Sequence, residues 1–313
     1  FRGTITLKVN TQGEIESSRV AGVSLPAGSW ESTVYVSSNG TTLRIDGNPA
    51  KILQGHNVQG DDSYKMLITY YQTVMQSLGF DRFTANRYRD HAKLTRLDLT
   101  HSYDLGSLHR AVSWIQSAHR YVTISHRGHG NIKHGCTLYY GKHSRRWSLK
   151  IYPKAPEVKK HPVSPVIDSD KLLSDIDGWI RIELTLRSMQ LEKHEIFTLA
   201  DLLSLSKTEN GINELFRMYA EKLHIPQTIN LDDIDMKPAI KSTFCIWRSG
   251  TDPRTVLPQS TWYRHRQAIM KTSGCDIAST PPQPSDPVPL IQTLIARPAQ
   301  TLDYLPSWRS RTG

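Results

Sequence analysis

The stretch Thr137-Leu-Tyr-Tyr-Gly-Lys-His-Ser-Arg-Arg-Trp-Ser-Leu-Lys-Ile-Tyr-Pro-Lys154 reads as two short strands joined by a basic turn. The second strand carries Lys150, Tyr152 and Lys154 at spacing two, and strand alternation puts all three on one face. A tyrosine between two ammonium groups has the parts needed to attack a phosphodiester while the phosphate charge is neutralised. Tyrosine holds its proton to about pH 10, so as a nucleophile it needs nearby positive charge or a metal. A basic strand edge with a half-buried aromatic gives the same pattern, so the neighbouring strands decide.

Two further segments alternate strictly with period two. In Lys93-Leu-Thr-Arg-Leu-Asp-Leu-Thr-His101, Arg96, Asp98 and Thr100 oppose Leu94, Leu97 and Leu99. In Trp179-Ile-Arg-Ile-Glu-Leu-Thr-Leu-Arg187, Arg181, Glu183, Thr185 and Arg187 oppose four aliphatic residues. Such alternation marks half-buried strands of an antiparallel sheet. Each strand sets one carboxylate in a basic or hydroxyl face. A lone acid among arginines forms a cross-strand ion pair, or Asp98 and Glu183 meet on adjacent strands and hold a divalent cation. Oxygen ligands completed by water and phosphate suit Mg²⁺ or Mn²⁺. Arg96, Arg181 and the turn residues Arg145 and Arg146 are candidate DNA contacts.

These residues carry a resemblance. Thr95-Arg-Leu-Asp-Leu99, then Tyr140-Gly-x5-Trp147-x2-Lys150-Ile-Tyr152-x-Lys154-x2-Glu157, then Arg181-Ile-Glu183 resembles the three-block pattern of the rolling-circle initiators of small staphylococcal plasmids. The string Asn48-Pro-Ala-Lys-Ile-Leu-Gln-Gly-His-Asn-Val58 resembles the gene II-type replication initiators of filamentous bacteriophages. The similarity is best over residues 40–190. It implies a nickase that cuts one strand of supercoiled origin DNA by transesterification. The tyrosine becomes linked to the 5′ phosphate, the freed 3′ hydroxyl primes host polymerase, and the strand is later rejoined. Carried over residue by residue, Tyr152 is the nucleophile with Lys150 and Lys154 beside it, and Asp98 and Glu183 are the metal positions. His56, in the loop containing Gln54 to Asn57, is a third ligand or a residue that fixes that loop by hydrogen bonding.

The implied partners are phage or plasmid origin DNA, duplex and single-stranded, with host replication helicase and polymerase, in the cytoplasm of a bacterial host. One departure stands out. Many related nickases bind metal through a His-hydrophobic-His triplet, and none occurs here. His126, His129 and His134 lie in a glycine-rich segment that reads as a solvated, DNA-facing loop or a second source of ligands.

Charge agrees with a nucleic-acid partner. The 313-residue chain carries a net +10, unevenly spread. Between Arg82 and Lys160 sixteen basic residues face four acidic ones, a net of +12, so the remainder sums to −2. Because this excess coincides with the tyrosine strand, it reads as a track for phosphates. Three widely spaced cysteines (Cys136, Cys245, Cys275) support neither a zinc site nor a disulfide framework and fit a reducing compartment. No run of 18 apolar residues occurs, and the opening Phe1-Arg-Gly-Thr-Ile-Thr-Leu-Lys-Val9 alternates like a strand rather than a signal peptide. The lack of an initial Met is expected of a chain missing a few leading residues.

The order of elements predicts an α+β fold, a central antiparallel sheet with helices on one face. Strands are expected at 4–9, 32–36, 42–45, 121–125, 136–141 and 147–152, besides the two acidic strands. Helices are expected at about 62–78 and 107–120. Pro153-Lys-Ala-Pro156 and His161-Pro-Val-Ser-Pro165 read as loop. Residues 1–190 form the catalytic domain of this reading. A helical region at 191–279 follows, with helices at about 195–205 and 212–223. In it, Ser260 or Thr261 caps a helix exposing Arg264 and Arg266, with Gly274 at its end. That helix is either the reading helix of a helix-turn-helix or a basic surface helix packed by Trp262 and Ile269. Residues 280–313 are a Pro-rich tail or linker. Three functions remain open: a metal-dependent nicking initiator, a non-catalytic origin or single-strand binder, and a helix-turn-helix regulator. Acids set in the middle of basic strands favour the first, since simple binding has no use for groups that repel DNA.

Overall fold

Period-two alternation in three segments builds the centre of the molecule. The computed structural model describes residues 5–9, 15–23, 34–38, 41–60, 63–124, 127–161, 163–208, 211–223, 235–278, 281, 294 and 297–307. His126 and Pro282, Pro284, Pro287 and Pro289, singled out above, lie outside the described residues. Strands β1 (Ile5–Val9), β2 (Ile15–Val23), β3 (Val34–Ser38) and β4 (Leu43–Asp46) form one antiparallel sheet in that order. Helices α1 (Pro49–Gln54), α2 (Ser63–Ser77) and α3 (Arg82–Arg89) follow. Val34, Val36, Ile52, Tyr70 and Val74 share one buried cluster that ties β3 to α1 and α2.

The larger sheet has five strands. After β5 (Arg96–Asp104) come α4 (Leu108–Tyr121), the small hairpin β6 (Thr123–Ile124) and β7 (Gly128–His129), then β8 (Asn131–Lys133), β9 (Thr137–Tyr140) and β10 (Trp147–Pro153). Helices α5 (Lys154–Lys160) and α6 (Ser169–Asp175) lead to β11 (Trp179–Arg187). The order is β5-β11-β10-β9-β8, antiparallel throughout. The aliphatic side chains of β5, β10 and β11 point to one face, where α4 buries Ala111, Trp114, Ile115 and Ala118 against them. Each such side chain contributes about 1.5–3 kcal/mol when fully removed from water.

Beyond the sheet come α7 (Ser188–Lys193), α8 (Leu199–Ser206) and α9 (Gly211–Ala220). Helix α9 joins the same core: Phe216 stacks on His101 at 4.0 Å between ring centroids, and Tyr219 meets Trp147 edge-on at 4.8 Å. Helices α10 (Pro238–Arg248) and α11 (Gln259–Ser273) pack around a separate cluster of Phe244, Trp247, Trp262 and Ile269. Residues 249–258 connect them, where a helix-turn-helix uses a turn of about 3–4 residues. Among the described residues no helix is long and apolar enough to cross a membrane.

Three local expectations change. The strand expected to carry Lys154 ends at Pro153, and the stretch 153–156 read as a loop instead opens α5. The first four N–H groups of a helix have no partner in the helix, so Pro156 loses nothing there. Gln54, read as loop, ends a short helix. Asn48 caps it by accepting from the Lys51 amide, Pro49 opens it, and Gly55 closes it at φ 80°. Lastly, residues 297–299, in the segment read as a tail, run beside the outer edge of β5. The Asp104 amide donates to the Arg297 carbonyl and the Ala299 amide to the Ser102 carbonyl, both at 3.0 Å.

Candidate active site

Directly opposed residues of antiparallel strands share a face, so register lays the polar side chains of the large sheet in rows. One row is Ser102, Arg181, Tyr152. The next is Thr100, Glu183, Lys150, Tyr139, Asn131, and a third holds Asp98, Thr185 and Ser148. The face they share is the one opposite α4. It is roofed at the Trp179 end by Val58, α5, α6 and Leu305, which form their own apolar cluster.

Tyr152 sits at the edge of that roof with 5% of its surface exposed. Its hydroxyl donates to Glu183 Oε2 at 3.4 Å, and the Lys150 ammonium lies 4.1 Å from its ring centroid and 3.7 Å from the same carboxylate. Burial pushes the phenol up, the Arg181 guanidinium pulls it down, and Glu183 and Glu157 push it up again, so the resting side chain keeps its proton above the ordinary tyrosine range.

Behind it lies a buried ionic network. Lys154, fully buried, donates to Glu157 Oε2 at 2.5 Å and to Asn57 Oδ1 at 2.9 Å. Burial pushes Lys154 down to about 7, aided by Arg181 and opposed by Glu157. For Glu157 burial works against the charge, but Lys154 and Arg181 outweigh it and hold the carboxyl below its usual value. Arg181, read from sequence as a DNA contact, is buried and engaged within the protein. It donates to the Asn57 and Val58 carbonyls and, at 3.1 Å, to Ser102 Oγ. These bonds clamp the loop after α1 onto the sheet, and the Asn57 side chain adds its contact to Lys154.

Lys154→Met is expected to lower stability by about 3 kcal/mol, because it leaves Glu157 and Asn57 without their buried partner. The folded pKa of Lys154 lies below its ordinary value of 10.5, so between about pH 7 and 10.5 the unfolded chain binds more protons. Wild-type stability therefore rises with pH across that window, and the variant lacks that rise. Urea midpoints at pH 7 and pH 9 measure it. A difference between wild type and variant that is the same at both pH values would assign the titration to another group.

Asp98 and Glu183 share the face but are not directly opposed: Asp98 faces Thr185 and Glu183 faces Thr100. Diagonal neighbours of this kind stand about 7–8 Å apart at Cα. Asp98 accepts a two-pronged contact from Arg96 at 2.7 and 3.0 Å. Two carboxylates at this spacing fit Mg²⁺ or Mn²⁺ once phosphate and water oxygens complete the shell. His56 is not brought to them. Its Nδ1 faces the Val58 amide at 3.3 Å and its Nε2 faces the Pro306 carbonyl at 2.9 Å, a role in fixing the loop. Among the described residues no group of three or more His, Cys, Asp or Glu side chains could hold a metal. Arg145 and Arg146 are exposed in the turn after Gly141 (φ 66°), and Arg264 is exposed on α11. Arg266 is bound to Asp276 at 2.6 and 2.7 Å.

Residues 2–208 match the family described as the N-terminal region of the phage replication-associated protein, the gene II protein. The chain is 32% identical over 318 aligned residues to the replication-associated gene II protein of Enterobacteria phage I2-2, across 94% of this chain and 88% of that protein. The chain belongs to the gene II replication-associated protein family. It is a phage replication initiator in the coarse sense that this membership gives. The matched span ends just after α8, so both sheets, the clamped loop and every residue of the Tyr152 face lie inside the gene II family region, and α9 to α11 lie beyond it. Sequence reasoning gave no separate role to Asn57 or Glu157, which complete the site in this gene II family member. The Lys154–Glu157 spacing of three was the available signal, legible only once Pro153 is read as a helix cap.

Proposed function

We propose that this chain is a rolling-circle nickase that cuts one strand of its phage origin through a 5′-phosphotyrosine on Tyr152 and later rejoins it. The observation that carries this reading is the registered set of Tyr152, Lys150, Glu183 and Asp98 on one polar face of the central strands. Tyr152 passes its proton to Glu183 Oε2 as the phenol oxygen attacks phosphorus and the P–O3′ bond breaks, and that proton is handed on to the departing 3′ oxygen, which leaves as the primer hydroxyl. Lys150 offsets the phosphate charge and the phenolate charge from its place over the ring. Arg181, Lys154, Glu157 and Asn57 hold the end of β10 against the clamped loop and so position the tyrosine. Asp98 and the second oxygen of Glu183 would hold Mg²⁺ or Mn²⁺, which supplies Lewis-acid stabilisation of charge at the scissile phosphate. A cleft of about 980 Å³ beside the site, lined by Gln59, Thr100, Ser102, Thr208 and Asn213, gives room for unpaired nucleotides.

The deciding experiment mixes the protein with supercoiled replicative DNA of the phage that carries this chain, with Mg²⁺ or Mn²⁺. A protein–DNA adduct that survives boiling in detergent is expected. Binding without any adduct would leave a non-catalytic origin-binding protein.

Origin choice separates from cutting if α11 contributes to duplex binding. Arg264→Ala is then expected to weaken duplex binding and lower its salt dependence by about one counterion, while cleavage of a single-stranded oligonucleotide spanning the nick persists. Arg266→Ala removes the Asp276 contact and acts on the packing of α11. An unchanged salt slope in Arg264→Ala, measured by fluorescence anisotropy, would exclude this arginine from the DNA interface.

A further inference from the structure

Closing a displaced strand into a circle takes a second transesterification, and the nickase reading above, on which this inference rests, has used one tyrosine. Three others lie on the same sheet. Tyr140 is buried, its hydroxyl donating to the Ala118 and Val122 carbonyls at 3.3 and 3.2 Å. Tyr103 faces Ile180, on the apolar side of the sheet. Tyr139 differs from both. It lies directly opposite Lys150 on the adjacent strand, on the face that bears Tyr152 and Glu183, and it is half-buried. The Lys142 ammonium stands 5.1 Å from its ring centroid. Since Tyr139 faces Lys150, it is the diagonal neighbour of Tyr152, about 7–8 Å away at Cα. Two tyrosines thus flank one lysine on a single polar face.

We propose that Tyr139 is the second nucleophile, the one that cuts the regenerated origin junction while Tyr152 still holds the first 5′ end. The Tyr139 phenol oxygen forms a bond to phosphorus, the P–O3′ bond breaks, and the phenol proton ends on the departing 3′ oxygen. That 3′ hydroxyl then attacks the phosphotyrosine at Tyr152. A phosphodiester closes the circle, Tyr152 recovers its proton, and the new 5′ end stays on Tyr139. No oxidant or further co-reactant enters. Lys150 lies between the two phosphates and serves both transfers.

The test uses the full chain, Mn²⁺ and excess single-stranded oligonucleotide spanning the nick in the phage's own origin. Tryptic digestion separates the two sites, since Tyr139 falls in the peptide 134–142 and Tyr152 in the peptide 151–154. Mass spectrometry of the wild type should find nucleotide adducts on both peptides. In Tyr139→Phe the 134–142 adduct should disappear, and the ratio of joined to nicked product should fall at least about 10-fold, as expected for loss of a nucleophile. Tyr140→Phe, whose hydroxyl faces the core, should leave that ratio unchanged. A Tyr139→Phe protein that retains the 134–142 adduct, or joins strands at the wild-type ratio, overturns the proposal while leaving the nickase reading intact. A wild-type adduct on 151–154 alone also overturns the proposal and leaves the nickase reading intact, whereas adduct on neither peptide overturns both.

Discussion

Tyr152→Phe is expected to abolish the covalent adduct and to slow nicking of supercoiled origin DNA by about 10⁴-fold or more, the scale on which enzymes lose activity without their nucleophile. The substitution removes one oxygen from a ring held between Lys150 and the roof of the site. The hydroxyl's contact to Glu183, at 3.4 Å, is long for a hydrogen bond, so stability should change by no more than about 1 kcal/mol. DNA affinity should hold too, because the positive groups around the site stay in place. The combination distinguishes chemistry from folding: a normal urea midpoint and normal binding, with no adduct. An adduct of wild-type yield in the variant would move the first cut to another tyrosine and remove Tyr152 from the reaction.

What could be read before the fold was known follows from which residues carry their own periodicity. The β5, β10 and β11 segments alternate so strictly that their faces, and hence the polar face of Asp98, Tyr152 and Glu183, follow from spacing alone. Their pairing does not. A shift of two residues keeps the faces and changes every neighbour, so the opposition of Glu183 to Lys150, and the offset of Asp98 from Glu183, needed the sheet. Lys154 was misplaced because a period-two pattern continued through Pro153 by chance, whereas the chain turns there into α5. The internal role of Arg181 was hidden for a different reason. Its partners are main-chain carbonyls more than 120 residues away, and nothing in local composition marks a carbonyl as an acceptor. The packing of residues 297–306 onto β5 and His56 was equally invisible, since a proline-rich approach reads as linker whatever it later touches.

Asp98→Asn and Glu183→Gln are each expected to slow cleavage by about 10²–10³-fold, the loss typical of one preorganised charge-stabilising group. Both should also weaken Mn²⁺ binding while sparing affinity for DNA. The resting structure pairs each acid with a cation, Asp98 with Arg96 and Glu183 with Lys150, which at first favours a purely structural role. Magnitudes favour the ligand role. The Arg96 and Asp98 side chains are 50% and 35% exposed, and the Lys150–Glu183 contact is 3.7 Å long, so each is the kind of pair worth about 0–1 kcal/mol. A divalent cation bridging two carboxylates and a phosphate replaces such pairs readily, and the released Arg96 and Lys150 then face the DNA phosphates. Ion-pair loss alone predicts a small drop in stability and no change in metal affinity. Titration calorimetry with Mn²⁺ on the two variants separates the cases: equal affinity in wild type and both variants would reduce Asp98 and Glu183 to cross-strand ion pairs, and the metal would have to be held elsewhere.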